Sequence, residues 1–305
     1  MKRTHRLARP RPAGPSGQSR AEPAVAALEI AEIGVRGDGL AAAAGGPIYV
    51  PFALPGERVR ARIVGERGEI VSLERESAER TTPDCAHFGR CGGCQLQHWA
   101  EAPYLAWKRE QADKALARRG LDIRAEPVIP AWGAGRRRAA FHATRAGGRT
   151  AFGFAARSAA RIEPVTACPV LAPALAAVLP ALRALAEIFT PERGEITLQC
   201  LATDAGVDCD IKGARVPGRA GLEAAAAASA PLARLSLNGE PLAMRARPVV
   251  RMGPAAVTPP PGAFLQPTAL GEETLVALAL DALGAASRVA DLFCGLGAFS
   301  LRIAA

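Results

Sequence analysis

Val289-Ala290-Asp291-Leu292-Phe293-Cys294-Gly295-Leu296-Gly297 is an apolar run broken by one acid and closed by two glycines. The pattern predicts a buried strand over 288–293, a tight glycine turn, and a helix from about Ala298. That is the first βα unit of a doubly wound α/β sheet, whose ligand sits at the carboxyl end of the strand. A dinucleotide fingerprint asks for a third glycine at position 300, where Ser300 stands. With Asp291 in the strand, the turn suits a cationic sulfonium donor better than a pyrophosphate. One strand and the start of one helix cannot close such a sheet. The 305 residues are therefore expected to hold only the beginning of this domain, over 263–305, and to be a truncated, inactive form.

Upstream, Pro259-Pro260-Pro261-Gly262 reads as a stiff linker, followed by a helix over 271–283. Near the other end, 24–77 alternates short strands with tight turns. Val59, Ala61 and Ile63 fall on one face, and Gly37-Asp38-Gly39 and Gly65 to Gly68 are turn signals. About 50 such residues make a small closed barrel of the OB type. Between barrel and linker, 78–262 reads as an α+β domain. It has a helix at 102–119 closed by Gly120, and helical stretches at 171–189 and 221–230. Strands at 196–201 and 206–211 flank Asp204-Ala205-Gly206 as a hairpin.

Cys85, Cys91 and Cys94 are spaced C-x5-C-x2-C, with Gly92 and Gly93 in the last interval letting the backbone fold tightly. Cys168, before Pro169, is the candidate fourth ligand. Three local thiolates and one distant one suit an iron–sulfur cluster. A structural zinc is the alternative, although four-cysteine zinc sites commonly arrive as two close pairs. The remaining cysteines differ in kind. Cys200 and Cys209 lie on the two hairpin strands and read as core, and Cys294 is expected to be buried in the glycine turn. His87 and His98 read as structural or RNA-facing.

The net charge of +9 is not evenly spread. Residues 104–161 alone carry +9, while 21–103 sum to −4 and 162–305 to −2. One basic face is thus predicted, suited to an anionic partner, with Arg136, Arg137 and Arg138 as phosphate contacts. Residues 1–23 read as a disordered basic tail. No run reaches the roughly 18 uncharged residues of a membrane helix, and the N-terminus lacks an apolar signal core. A cytoplasmic, monomeric protein without a membrane partner is expected.

Three stretches carry a family resemblance. VPFALPGERVRARI (50–63) resembles the TRAM domain, an OB-like RNA-binding barrel. CAHFGRCGGCQLQH (85–98), with Cys168-Pro169-Val170-Leu171 about 70 residues on, resembles the cluster-bearing 23S rRNA (uracil-5-)-methyltransferases. DLFCGLGAFSL (291–301) is similar to that family's methyl-donor motif, and Phe264-Leu265-Gln266 to its F-x-Q element. The resemblance implies a four-iron four-sulfur (4Fe-4S) cluster on Cys85, Cys91, Cys94 and Cys168. It also implies S-adenosylmethionine against Gln266, Phe293, Gly295 and Gly297. Family members often carry Asn where Ala298 stands, so one donor hydrogen bond is missing here.

The implied reaction methylates carbon 5 of a uridine in RNA, most naturally 23S rRNA. A thiolate adds at carbon 6, the enolate takes the methyl group, and a base removes the carbon-5 proton. The family's nucleophilic cysteine and base lie downstream of the donor motif, so both are expected beyond residue 305. The rival reading is a non-catalytic RNA-binding protein built from the barrel and the cluster domain. A methylthiolating enzyme with the same barrel would need C-x3-C-x2-C, which is absent.

Overall fold

Six strands make up the first unit of the computed structural model, which describes residues 24–133, 135–157 and 161–305. The tail expected over 1–23 lies outside the described residues. The strands are β1 (Ala24–Glu29), β2 (Glu32–Ile33), β3 (Gly39–Ala43), β4 (Gly46–Val50), β5 (Arg58–Val64) and β6 (Arg67–Arg75), in the order β1-β5-β6-β4-β3-β2. The first and last strands of that order, β1 and β2, are separated by only Ile30 and Ala31, so one continuous stretch of chain edges both β5 and β3 and the sheet is strongly curved. Its filling is the inward half of the alternation: Leu28, Ile48, Val50, Val59 and Ala61 are buried together.

A buried carboxylate fixes the barrel's rim. Glu57 accepts from the Leu54 N–H at 2.8 Å and from Arg80 at 2.6 and 2.8 Å. Burial pushes the Glu57 carboxyl up, but these donors outweigh it and hold it below the usual carboxylate range.

The second unit comprises Thr81–Gln97 and Tyr104–Ala305. After helix α1 (Glu101–Ala117), it contains a seven-stranded sheet of order β13-β12-β11-β10-β7-β8-β9. These are β7 (Arg138–Ala146), β8 (Arg149–Ala155), β9 (Ile162–Pro164), β10 (Glu195–Thr203), β11 (Gly206–Lys212), β12 (Leu232–Leu237) and β13 (Glu240–Met244). All neighbours are antiparallel except β11 and β12, which are joined by a crossover through α4 (Arg219–Ala228).

Phe141, Leu198 and Ile211 lie side by side on one face, where α2 (Pro173–Ala177), α3 (Leu179–Phe189) and α4 complete a single core. α3 buries Leu182, Leu185, Ala186 and Phe189 at helical spacing. Its first turn holds Pro180, which has no N–H to continue a preceding helix. The single helix expected over 171–189 is accordingly two, meeting at Val178.

The opposite face is polar but covered. Arg234 grips Asp208 through two bonds of 2.7 and 2.8 Å and donates to the Pro259 carbonyl. The proline linker thus lies across the sheet. Hairpin β14 (Val250–Met252) and β15 (Ala255–Val257) adds an apolar cluster of Leu201, Val250, Met252 and Leu265. The chain ends with α5 (Ala269–Leu283) and α6 (Ser300–Ile303).

The strand expected over 288–293 does not form; the backbone there is irregular. A strand exists through its ladder partners, and among the described residues none pairs with this segment. Leu292 is 79% exposed and Phe293 fully exposed, so the segment is not buried.

Candidate functional site

The cysteine loop is stitched to the end of β8. Gly92 donates to the Ala155 carbonyl at 2.9 Å, and Cys91 bridges Ala156. A side chain at Gly92 would place its Cβ 2.8 Å from that carbonyl, so only glycine permits the approach. Glu163 of β9, buried against the loop, takes bonds from Arg90 at 2.9 Å and His87 at 3.1 Å. Arg90 and then His87 hold the Glu163 carboxyl below its ordinary range, against burial. Cys168 arrives from the far side. Its segment is pinned where Arg136 N–H donates to the Val170 carbonyl at 2.6 Å and Ala172 N–H donates to that of Arg136.

The result is one cavity of about 60 Å³ lined by Cys85, Cys91, Cys94 and Cys168, with Phe88, Gln97 and Phe154 among its walls. Burial pushes the Cys91, Cys94 and Cys168 thiols up, and the neighbouring cysteines add to it. A bound cation would offset this by stabilising the thiolate forms. Gly93 N–H donates to Cys91 Sγ at 3.4 Å, a contact that favours the thiolate. Among the described residues, no three His, Cys, Asp or Glu side chains are grouped as a ready-made site for a single ion. Cys200 and Cys209 face each other across β10 and β11, both buried in the core as expected.

The glycine turn keeps its own shape. Gly295 and Gly297 have φ of 60° and 82°, Gly297 N–H donates to the Cys294 carbonyl, and Ser300 N–H donates to Asp291 at 3.1 Å. Leu296, Ala298 and Leu301 pack on the cluster that contains Leu265, so the turn and Gln266 share one apolar support. Cys294, expected to be buried, is exposed. With no strand ahead of it, the outer side of the turn is open among the described residues.

Arg136, Arg137 and Arg138, expected as three phosphate contacts, divide. Arg137 reaches Glu272 of α5 at 2.5 Å and donates to the Gln266 carbonyl at 3.1 Å. Arg138 donates to the Leu265 carbonyl and stacks over Phe264 at 4.5 Å. Arg136 is exposed and lines the cysteine cavity. Glu272 is 1% exposed and also accepts from Arg302 of α6 at 3.1 Å, which ties β7, α5 and the end of the glycine turn together. Sequence reading passed over Glu163 and Glu272. The only local signals were an acid within a short strand and an acid in the first turn of a helix capped by Thr268.

No family model matches the chain. It is 44% identical over 287 residues to a Caulobacter vibrioides protein named as an uncharacterized RNA methyltransferase, covering 91% of this chain and 69% of the relative. A Brucella suis protein of the same name is 41% identical over 282 residues, covering 91% and 67%. A Halomonas elongata 23S rRNA (uracil(1939)-C(5))-methyltransferase is 32% identical, covering 85% and 59%. The fold is similar to that of a Pyrococcus abyssi tRNA (uracil-54, C5)-methyltransferase solved with S-adenosyl-L-homocysteine. That TM-score is 0.68 at 19% identity, covering 91% of this chain and 70% of the other. The shared span measures likeness and says nothing of where this protein ends, so the expectation of a truncated, inactive form gains no support from it. On the identity and coverage of its Caulobacter and Brucella relatives, the chain belongs to the RNA methyltransferase family.

Proposed function

We propose that this protein serves S-adenosylmethionine-dependent methylation of uridine at carbon 5, with 23S rRNA as the substrate, acting as a cytoplasmic monomer. The observation that carries the reading is the gathering of Cys85, Cys91, Cys94 and Cys168 around one cavity within a chain whose relatives are RNA methyltransferases. The Halomonas relative, whose name specifies 23S rRNA uracil, supports the substrate. The relatives' names also favour an enzyme over a non-catalytic RNA-binding protein.

The four thiols fit a 4Fe-4S cluster by donor chemistry and by the Gly93 N–H aimed at Cys91. Bound there, a cluster would cross-link the loop to the segment around Cys168. Gln266, Phe293, Gly295 and Gly297 fit the methyl donor. The Gly295 backbone is open, with no atom nearer its absent Cβ than 4.0 Å, and the Phe293 ring is free on both faces. S-adenosylmethionine supplies an electrophilic methyl group when bound. The chain's own residues hold it: Arg137 fixes the Gln266 backbone, while Asp291 and Arg302 fix the turn. The TRAM-like barrel and Arg136 hold RNA, whose target base must be unstacked to be reached. Deleting the gene and mapping 5-methyluridine in 23S rRNA by mass spectrometry tests the reading. Loss of one site, restored by the gene, is expected; an unchanged map contradicts it.

A further inference from the structure

We infer that Tyr104, Trp107 and Trp132 form a stacking platform for an unpaired base of an RNA strand, with Lys108 beside it, and Arg118 and Arg119 past the end of the same helix, for the phosphates. The inference rests on the RNA-modifying reading and deepens it. No residue of α1 is fully buried, and Tyr104 and Trp107 on it are half-buried, so each ring keeps part of its surface open. Tyr104, Trp107 and Lys108 follow i, i+3, i+4 and share one face. The Tyr104 ring lies 6.3 Å from Trp107 at 28° and 6.4 Å from Trp132 at 49°, and Lys108 Nζ sits 5.3 Å over Tyr104. Trp132 is 49% exposed. The chain has three tryptophans and two tyrosines, and three of these five rings meet here.

Charge selects the partner. The platform begins the acid-poor span 104–161, which holds +9 in a chain otherwise near neutral along its remaining folded length. Some of that charge is engaged internally: Arg109 donates to the Ala125 carbonyl, Arg124 pairs with Asp113, and Lys114 pairs with Glu110. Lys108, at the rings, and Arg118 and Arg119, just past the end of the same helix, remain exposed. Aromatic faces among cations suit a single strand, because unpaired bases offer π-faces that a duplex hides.

Position agrees with this. Ala131 accepts from Thr268 Oγ1, and Gly133 packs against Leu270, so the Trp132 segment is fastened to the start of α5 two residues beyond Gln266. A strand held here passes beside the proposed donor site.

The test is titration with a single-stranded uridine-rich 12-mer RNA and with the same sequence in duplex, read by tryptophan fluorescence. The unaltered chain should bind the single strand more tightly, with quenching. Trp132→Ala and Trp107→Ala should each weaken binding roughly tenfold without changing the salt slope. Trp132→Phe should retain most of the affinity, and Lys108→Ala should lower the salt slope by about 1. Circular dichroism checks that each variant is folded. Unchanged affinity in both folded tryptophan variants overturns the platform alone. Failure of the unaltered chain to bind any RNA overturns the RNA-modifying reading as well. A concentration-dependent dimer lost in Trp132→Ala assigns the rings to a second copy and overturns the proposal.

Discussion

The cysteine cavity and the glycine turn are each gripped by one buried carboxylate holding two nitrogen-bearing side chains, yet they are built differently. Glu163 takes His87 and Arg90, and Glu272 takes Arg137 and Arg302. The cavity's walls come from segments far apart in sequence, one bonded to the end of β8 and the other to Arg136, just ahead of β7. The turn is shaped by its own glycines and by Asp291, and is anchored by Leu296 and by the segment that follows it. A turn needs no neighbour, whereas a strand does. That is why residues 294–303 are ordered into turn and helix while 288–293 stay irregular.

Removing the anchor should separate the two regions most sharply. Glu272→Gln leaves the Arg137 and Arg302 guanidiniums, each 14% exposed, without their shared charge, and should cost about 3 kcal/mol. Hydrogen exchange should rise across 294–303 and stay unchanged around Cys91. Equal loosening of both regions would show that they are one cooperative piece. The glycines sharpen this further. Gly297→Ala places a Cβ 2.8 Å from Leu301 Cγ at φ 82° and should cost about 2 kcal/mol, while Gly295→Ala, with open space, should cost about 1. Thermal melts of the two variants check the order.

Glu163 grips with a half-exposed Arg90, so Glu163→Gln should cost only about 1 kcal/mol. Its carboxyl lies below the usual range when folded. The stability it lends is therefore present above the unfolded value and is lost as pH falls through the lowered one. Melts of the parent should show this acid loss of stability, and Glu163→Gln should show less of it. The smallest effect is chemical. Cys294 should alkylate before any other thiol and Cys200 and Cys209 last, as mass spectrometry of iodoacetamide-treated protein would show.

Local patterns carried much of the fold. Val59 and Ala61 mark the inward face of a barrel strand, and Asp204-Ala205-Gly206 marks the hairpin that sets Cys200 against Cys209. β12 escaped reading because Leu232–Leu237 is buried throughout and contains Arg234, whose partner Asp208 lies 26 residues back. Arg136-Arg137-Arg138 looked like a uniform surface run for the same reason. Glu272, which draws Arg137 inward, is 135 residues away, and no periodicity signals such a partner. Cys85, Cys91 and Cys94 were legible as a group because their spacing and Gly92-Gly93 are local, while Cys168, far along the chain before Pro169, could be named only as a candidate fourth. The exposure of Cys294 was not legible, since a strand that reads as buried is buried only once it has a neighbour.

The most direct test of the account is iron analysis with visible absorption on protein purified without oxygen, beside Cys168→Ser and Cys200→Ser. About four irons per chain and a broad band near 400 nm are predicted. Cys168→Ser should lose both and Cys200→Ser should keep both. Zinc without iron in the unaltered protein, or a cluster indifferent to Cys168, would contradict it.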